Sequence, residues 1–258
     1  MYGAIIGDIV GSRFEWDNIL TKKFDLFTDH CFFTDDSVMT IAVGKALHES
    51  RKQNYADLND QLVYWMHKIG KRYPDCGYGG HFYYWMFHDD AEPYNSFGNG
   101  SAMRTSYCAQ IAESLEEALY LAEKCAAVTH NHPEGIKGAQ AVTACIWLAK
   151  EGKSQEEIRC YVREHYYDMD FTLDGIRKSY RFDVTCQGSV PQAIEAFLEA
   201  VSFEDAIRNA ISIGGDSDTI AAITGPIAEA YFGIPEGFIQ EADSYLDDYL
   251  KKIVHTIL

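Results

Sequence analysis

Basic residues are what this sequence is shortest of: 22 lysines and arginines stand against 39 aspartates and glutamates, a formal charge of -17 over 258 residues. Such a surface repels polyanions, which argues against a protein that wraps nucleic acid by neutralising its phosphates. An anionic substrate would need local help, from bound cations or from backbone N–H groups at helix ends. No apolar run approaches about 18 residues, so no membrane span is expected. The opening MYGAIIGDIVGSRFEW has no basic stretch ahead of its apolar residues and is interrupted by Asp8, so no secretory signal is expected either. Cysteine occurs seven times, never as CxxC and with one left over from any pairing. That is the pattern of reduced thiols, and a cytoplasmic location follows from it. No repeat, low-complexity tract or Pro/Ser-rich linker divides the chain. With 47% apolar and 24% charged residues, residues 1–258 are expected to form one domain with its own core, acting as a monomer.

What is present is helix punctuation. Leu58, Leu62, Trp65, Met66 and Ile69 form an apolar stripe that stops at Gly70, and Val38, Ile41 and Leu47 follow Ser37 at roughly helical spacing. Ser114 with Glu117, and Ser154 with Glu157, have capping-box spacing. Pro191 is expected near the start of a helix carrying Ile194, Phe197, Leu198 and Val201. Ile220, Ile223, Ile227 and Tyr231 make another stripe, closed by Gly233 and Pro235. Strand signal is confined to Tyr180–Thr185, a short hairpin or loop. The stretch Tyr73–Ser101, rich in glycine and aromatics, is expected to be irregular, and long loops of this kind tend to be functional. Its aromatics, Tyr78, Phe82, Tyr83, Trp85, Phe87 and Tyr94, suit a core better than a ligand-stacking surface. The fold class is all-α.

Two acidic clusters stand just before predicted helices: Thr34, Asp35 and Asp36 in FTDDS, and Asp216, Asp218 and Thr219 in GGDSDT. N-capping and the helix dipole account for one acid at each site. They account poorly for two, because adjacent carboxylates repel unless a cation lies between them. Hard oxygen ligands of this kind suit Mg²⁺, Mn²⁺ or Ca²⁺ over zinc, and four aspartates balance two divalent cations. Gly3, Ala4, Gly7 and Gly11 would let helices pack closely ahead of Glu15, which alone reads as a surface glutamate. In SFGNGSAMR, Gly98, Asn99, Gly100 and Ser101 precede a possible helix and could present backbone N–H groups to phosphate, although GNG is equally a turn. THNHPEG carries His130 and His132; without a cysteine or a third histidine nearby, a loop whose histidines bond to neighbours is the better reading than a metal site.

In order along the chain, GDIVGSRFE, FTDDSVMT, SFGNGSAMR, THNHPEG and SIGGDSDTIAAITGPIAEA resemble the ADP-ribosylglycohydrolase family, which includes the dinitrogenase reductase-activating glycohydrolases and the ADP-ribosylarginine and ADP-ribosylserine hydrolases. The resemblance implies a compact, orthogonal multi-helix bundle around a central cleft with two Mg²⁺ ions, for which Mn²⁺ can substitute. It implies metal ligation by Thr34, Asp35, Asp36, Asp216, Asp218 and Thr219, and catalysis by Glu15 with Asp36 and Asp218. Gly98, Asn99, Gly100, Ser101 and His130 would bind the substrate. Ser96 departs from relatives that carry an acid just before GNG and, like GSRFE, fits the pattern of the ADP-ribosylserine hydrolases.

The implied activity is Mg²⁺-dependent cleavage of the bond between ADP-ribose and an arginine or serine side chain of a modified protein, with ADP-ribose released. Such a cleavage passes through an oxocarbenium-like state. A small ADP-ribosylated metabolite is the alternative substrate. A non-catalytic ADP-ribose-binding protein is the alternative from another class, disfavoured by the intact set of Glu15 and both acid clusters.

Overall fold

The computed structural model describes residues 1–88 and 92–258. Among these the chain is helical, and one antiparallel bridge between Gly98 and Thr185 stands in place of any sheet. The first seven helices are α1 (Tyr2–Gly11), α2 (Asp35–Arg51), α3 (Leu58–Gly70), α4 (Gly80–Phe87), α5 (Ser106–Ile111), α6 (Leu115–Ala127) and α7 (Pro133–Lys150). The rest are α8 (Gln155–His165), α9 (Leu173–Ile176), α10 (Cys186–Leu198), α11 (Phe203–Ile211), α12 (Ser217–Phe232), α13 (Phe238–Tyr245) and α14 (Asp248–Ile257). No helix among the described residues is long and apolar enough to cross a membrane.

The punctuation places most of these ends. Ser154 and Glu157 form a reciprocal capping box at α8. Ser114 caps α6 by accepting from the Glu117 N–H, but the Glu117 carboxylate turns back one residue further, to the Glu113 N–H at 2.7 Å. Gly233, at φ 73°, closes α12. Three expectations are corrected. The Tyr73–Ser101 stretch is not irregular throughout: Phe82, Trp85 and Met86 are spaced to share the buried face of α4. Tyr83 and Phe87, on its other side, are exposed and are not core. Pro191 lies inside α10, because the helix starts earlier, where Thr185 accepts from the Gly188 N–H, and Val201 lies beyond its end and is exposed.

Every residue of α1 is buried, as is α12 from Ser217 to Ala228; helices this apolar on all sides belong at the centre. They lie side by side there, with α7, α10 and α11 packed on α12 and α2 and α13 on α1. Glycines set their separation. A Cβ on Gly7 would lie 2.1 Å from the Ala221 carbonyl oxygen, one on Gly3 2.3 Å from that of Gly225, and one on Gly11 2.5 Å from the Cα of Asp218. The two backbones therefore touch, as the small residues of α1 predicted.

Gly7→Ala should force the helices apart, lowering stability by about 3 kcal/mol and the melting temperature by on the order of 10 °C. Gly80→Ala, whose added Cβ meets no heavy atom within 4 Å, should stay within about 0.5 kcal/mol of wild type. Thermal unfolding followed by circular dichroism checks both; equal melting of the two variants would contradict the backbone contact.

Candidate active site

The site begins at α1. Asp8 lies one residue past Gly7, on a helix with no room for side chains against α12, and its carboxylate reaches the N-terminus of α2. Its Oδ2 accepts from the backbone N–H groups of Thr34 (2.9 Å) and Ser37 (3.0 Å), and its Oδ1 from the Thr34 hydroxyl (2.6 Å). Asp8 thus satisfies donors that α2 leaves unpaired. Thr34 is the N-cap of α2, so Asp35 and Asp36 lie in its first turn and not ahead of it. At α12, Asp216 is the N-cap and Asp218 sits in the first turn. The loop before it needs φ values of 69° and 77° at Gly214 and Gly215, accessible at little cost only to glycine. Asn18 clamps the turn through both backbone groups of Gly215.

These helix starts bring acids together. Oxygen atoms of Asp8, Asp36 and Asp218 lie within 4.8 Å of one another, and so do those of Glu15, Asp216 and Asp218. The Thr219 hydroxyl donates to Asp36 Oδ2 (3.0 Å), and Asn99 Nδ2 donates to Asp216 Oδ2 (2.7 Å). Asp36 Oδ1 is buried with no hydrogen-bond partner among the described residues. Burial, reinforced by the neighbouring aspartates, pushes the carboxyls of Asp36 and Asp218 well above the ordinary range. Burial first, then Asp216 and Asp8, raises Glu15 to about 7. An all-oxygen, crowded donor set with an unpartnered buried oxygen is what a hard divalent cation requires, so these residues fit Mg²⁺.

Glu15, Asp35, Asp36, Asp216 and Asp218 line one end of a cleft of about 390 Å³. Gly98, Asn99, Gly100, His130 and Arg104 line it too. The Asn99 N–H donates to the Val184 carbonyl (2.8 Å) and the Gly98 N–H to Ser96 Oγ (3.1 Å). Those two donors are taken up within the protein, as is the Ser101 N–H by the Gly98 carbonyl (3.4 Å), so the N–H cradle expected of GNG narrows to Gly100, whose N–H none of these contacts engages. What the loop offers is lack of bulk: a Cβ on Gly100 would lie 3.3 Å from His130 Nε2. Trp16 stacks on Phe182 with ring centroids 5.1 Å apart, and both line the cleft. Tyr180–Thr185 is a loop, and it supplies Phe182 and Val184 to this wall.

A sequence model described as ADP-ribosylglycohydrolase matches residues 1–257. The chain belongs to the ADP-ribosylglycohydrolase family. It is 25% identical to ADP-ribosylhydrolase ARH3 of Bos taurus over 99% of this chain and 91% of that protein. Identity is 25% with the ADP-ribosylarginine hydrolase Tri1 of Pseudomonas putida (strain GB-1), over 91% and 70% of the two chains. It is 24% with the ADP-ribosyl-[dinitrogen reductase] glycohydrolase of Rhodospirillum rubrum, over 87% and 78%. A solved structure entitled "ADP-ribosylglycohydrolase-related protein complex" shares the fold, with a TM-score of 0.71 at 19% identity over 99% of this chain and 95% of that one.

The structure brings Glu15, Asp36, Asp216 and Asp218 together. Asp35 faces the same cleft but belongs to neither carboxylate group. Thr34 gives its hydroxyl to Asp8, and Thr219 gives its own to Asp36. Ser101 is wholly buried, donates to the Gly135 carbonyl (2.7 Å) and does not line the cleft. His132 is the N-cap of α7, accepting from the Glu134 N–H, so it holds a helix. Sequence reasoning passed over Asp8, treated as a break in an apolar run, and Arg104. A charged residue directly after glycine on an otherwise apolar helix was the available signal for Asp8.

A carboxyl whose folded pKa exceeds its unfolded one binds its proton more tightly in the native state. Its contribution to stability is full below the unfolded pKa and is lost as the pH rises through the folded value. For Glu15 that window runs from 4.5 to about 7; for Asp36 and Asp218 it opens at 3.8. In chelator, the melting temperature should therefore fall steadily from about pH 5 to about pH 8, and Asp36→Asn with Asp218→Asn should flatten the fall. A wild-type profile that rises over this range would contradict the burial of the cluster.

Proposed function

We propose that this chain is a Mg²⁺-dependent hydrolase that cleaves the glycosidic bond between ADP-ribose and a protein side chain, releasing ADP-ribose. The observation carrying this reading is the convergence of Glu15, Asp36, Asp216 and Asp218 in a cleft also lined by Gly98, Asn99, Gly100 and His130. Family membership supports it, as do relatives named for hydrolysis of ADP-ribosyl linkages on arginine and on dinitrogen reductase.

Asp8, Asp36, Asp216 and Asp218 would hold the cations, with Thr34, Thr219 and Asn99 fixing their carboxylates by hydrogen bonds. When bound, the metal supplies positive charge and Lewis acidity beside the sugar hydroxyls. The chain's own residues do the rest. Glu15 stands at the edge of the acid cluster, next to the Trp16–Phe182 stack, placed to hold or move a proton at the departing side chain. The absence of bulk at Gly98 and Gly100 leaves space for the pyrophosphate half. Arginine-linked and serine-linked substrates are both retained: Ser96 supports serine, and the likeness to the arginine hydrolase supports arginine.

Peptides carrying arginine-linked or serine-linked ADP-ribose, incubated with and without Mg²⁺, test the proposal through release of free ADP-ribose. Release from at least one series, abolished by chelator, is expected; no release from either, with Mg²⁺ present, would sink it. Mg²⁺ should also raise the melting temperature by binding only the native state, an effect lost in Asp36→Ala and Asp218→Ala. Glu15→Gln should keep the Mg²⁺ stabilisation and ADP-ribose affinity while turnover drops on the order of 10²-fold or more. Turnover near wild type would remove Glu15 from the chemical step.

A further inference from the structure

Arg104 has no part in the scheme above, yet it is the only cationic side chain among the described residues lining the cleft, and it is 1% exposed. Among the described residues its guanidinium faces no carboxylate: Nη2 donates to the Cys125 carbonyl (2.9 Å) and to Thr129 Oγ1 (2.8 Å), and Nε is buried without a partner among them. A buried charge held only by neutral acceptors is costly. The groups around it are polarised in return.

Thr129 Oγ1 also lies 2.7 Å from His130 Nδ1. A hydroxyl has one proton to give and two lone pairs. One lone pair takes the Arg104 donor; His130 Nδ1 is the hydroxyl's other hydrogen-bond partner, and with the proton on Nδ1 both partners would donate, leaving the hydroxyl's own proton without an acceptor among the described residues. The hydroxyl proton then goes to His130 Nδ1. The opposite arrangement, with the proton on Nδ1, would aim an N–H dipole back at the guanidinium. A chain of hydrogen bonds pointing away from a buried cation is reinforced at each link. Burial and the charge of Arg104 also hold His130 well below the ordinary histidine range, so the ring is neutral. A neutral imidazole has one donor and one acceptor, and which nitrogen is which is set by its neighbours.

We propose that Arg104 and Thr129 form a relay that fixes His130 in the tautomer protonated on Nε2, making it a permanent hydrogen-bond donor beside Gly98 and Gly100, where the anionic part of the ligand lies. The ligand part rests on the proposed function; the tautomer part does not. With the proton on Nδ1 instead, the ring would present a lone pair to phosphate oxygens and repel them. Arg104 and Thr129 are positioning residues: they act through His130.

Long-range proton–nitrogen NMR correlations of the histidine rings, with His130 assigned by its loss in His130→Asn, report the tautomer directly. The wild-type ring should show Nε2 protonated and Nδ1 bare. Thr129→Val should mix the two tautomers and weaken ADP-ribose binding about tenfold, the effect of one hydrogen bond to a charged group, with kcat changing less than KM. Thr129→Ser, which keeps the hydroxyl, should restore both the tautomer and the affinity, separating loss of the relay from loss of the fold. A wild-type ring protonated on Nδ1, or an unchanged tautomer in Thr129→Val, overturns the relay. If the tautomer responds as described while wild type does not bind ADP-ribose, the relay is upheld and the reading of the cleft beneath it falls.

Discussion

The site depends on two helix backbones in contact. Gly3, Gly7 and Gly11 of α1 leave no side chain between it and α12, so the carbonyl oxygens of Ala221 and Gly225 and the Cα of Asp218 lie where Cβ atoms would otherwise be. Glycine inside a helix costs about 1 kcal/mol relative to alanine, and α1 carries three. Burial of the whole helix offsets that cost. Close approach also decides chemistry. Asp8 can reach the start of α2 while remaining within 4.8 Å of an Asp218 oxygen only because the two helices are this near. One added methyl would separate the carboxylates as well as the helices.

The second constraint is electrostatic. The first turns of α2 and α12 present positive dipole ends to their aspartates, and Asp8 takes three hydrogen bonds at α2. These interactions lessen the cost of gathering the acids without removing it, as the raised carboxyls of Asp36 and Asp218 show. The lining of the cleft consequently holds both surplus negative charge and a buried guanidinium. A ligand with hydroxyls toward one part and phosphates toward another meets complementary groups, whereas a uniformly anionic polymer meets a repelling surface. That accounts for how a chain of net charge -17 can be read as taking an anionic substrate.

Helix ends were legible because each is set by residues within a few positions: Ser154 with Glu157, Gly233 after Phe232, Gly70 at the end of α3. The acidic clusters were legible because two neighbouring carboxylates conflict unless something offsets them. What was not legible depended on partners distant in sequence. The N–H of Asn99 is taken by Val184, and the hydroxyl of Ser101 by Gly135, so the expected GNG cradle had no local sign of the donors it would lose. Asp8 looked like an interruption because the α2 donors it serves lie 26 and 29 positions on. Helix α4 was hidden by the glycines before it and by an aromatic run that periodicity alone does not divide into faces.

Ser96 shows how the side chain just before the GNG turn can change without altering the shape of the site. Its hydroxyl accepts from the Gly98 N–H at 3.1 Å, a turn contact that an aspartate makes equally well. Serine and an acid at this position would therefore give the loop the same path and differ in charge. In a cleft already lined by five carboxylates, an acid beside Gly98 would place one more negative charge where the anionic part of the ligand is read to lie, opposing Arg104. Serine leaves the field of that buried guanidinium uncompensated. The substitution thus bears first on how firmly the ligand is held, and only through that on which linkage is cut.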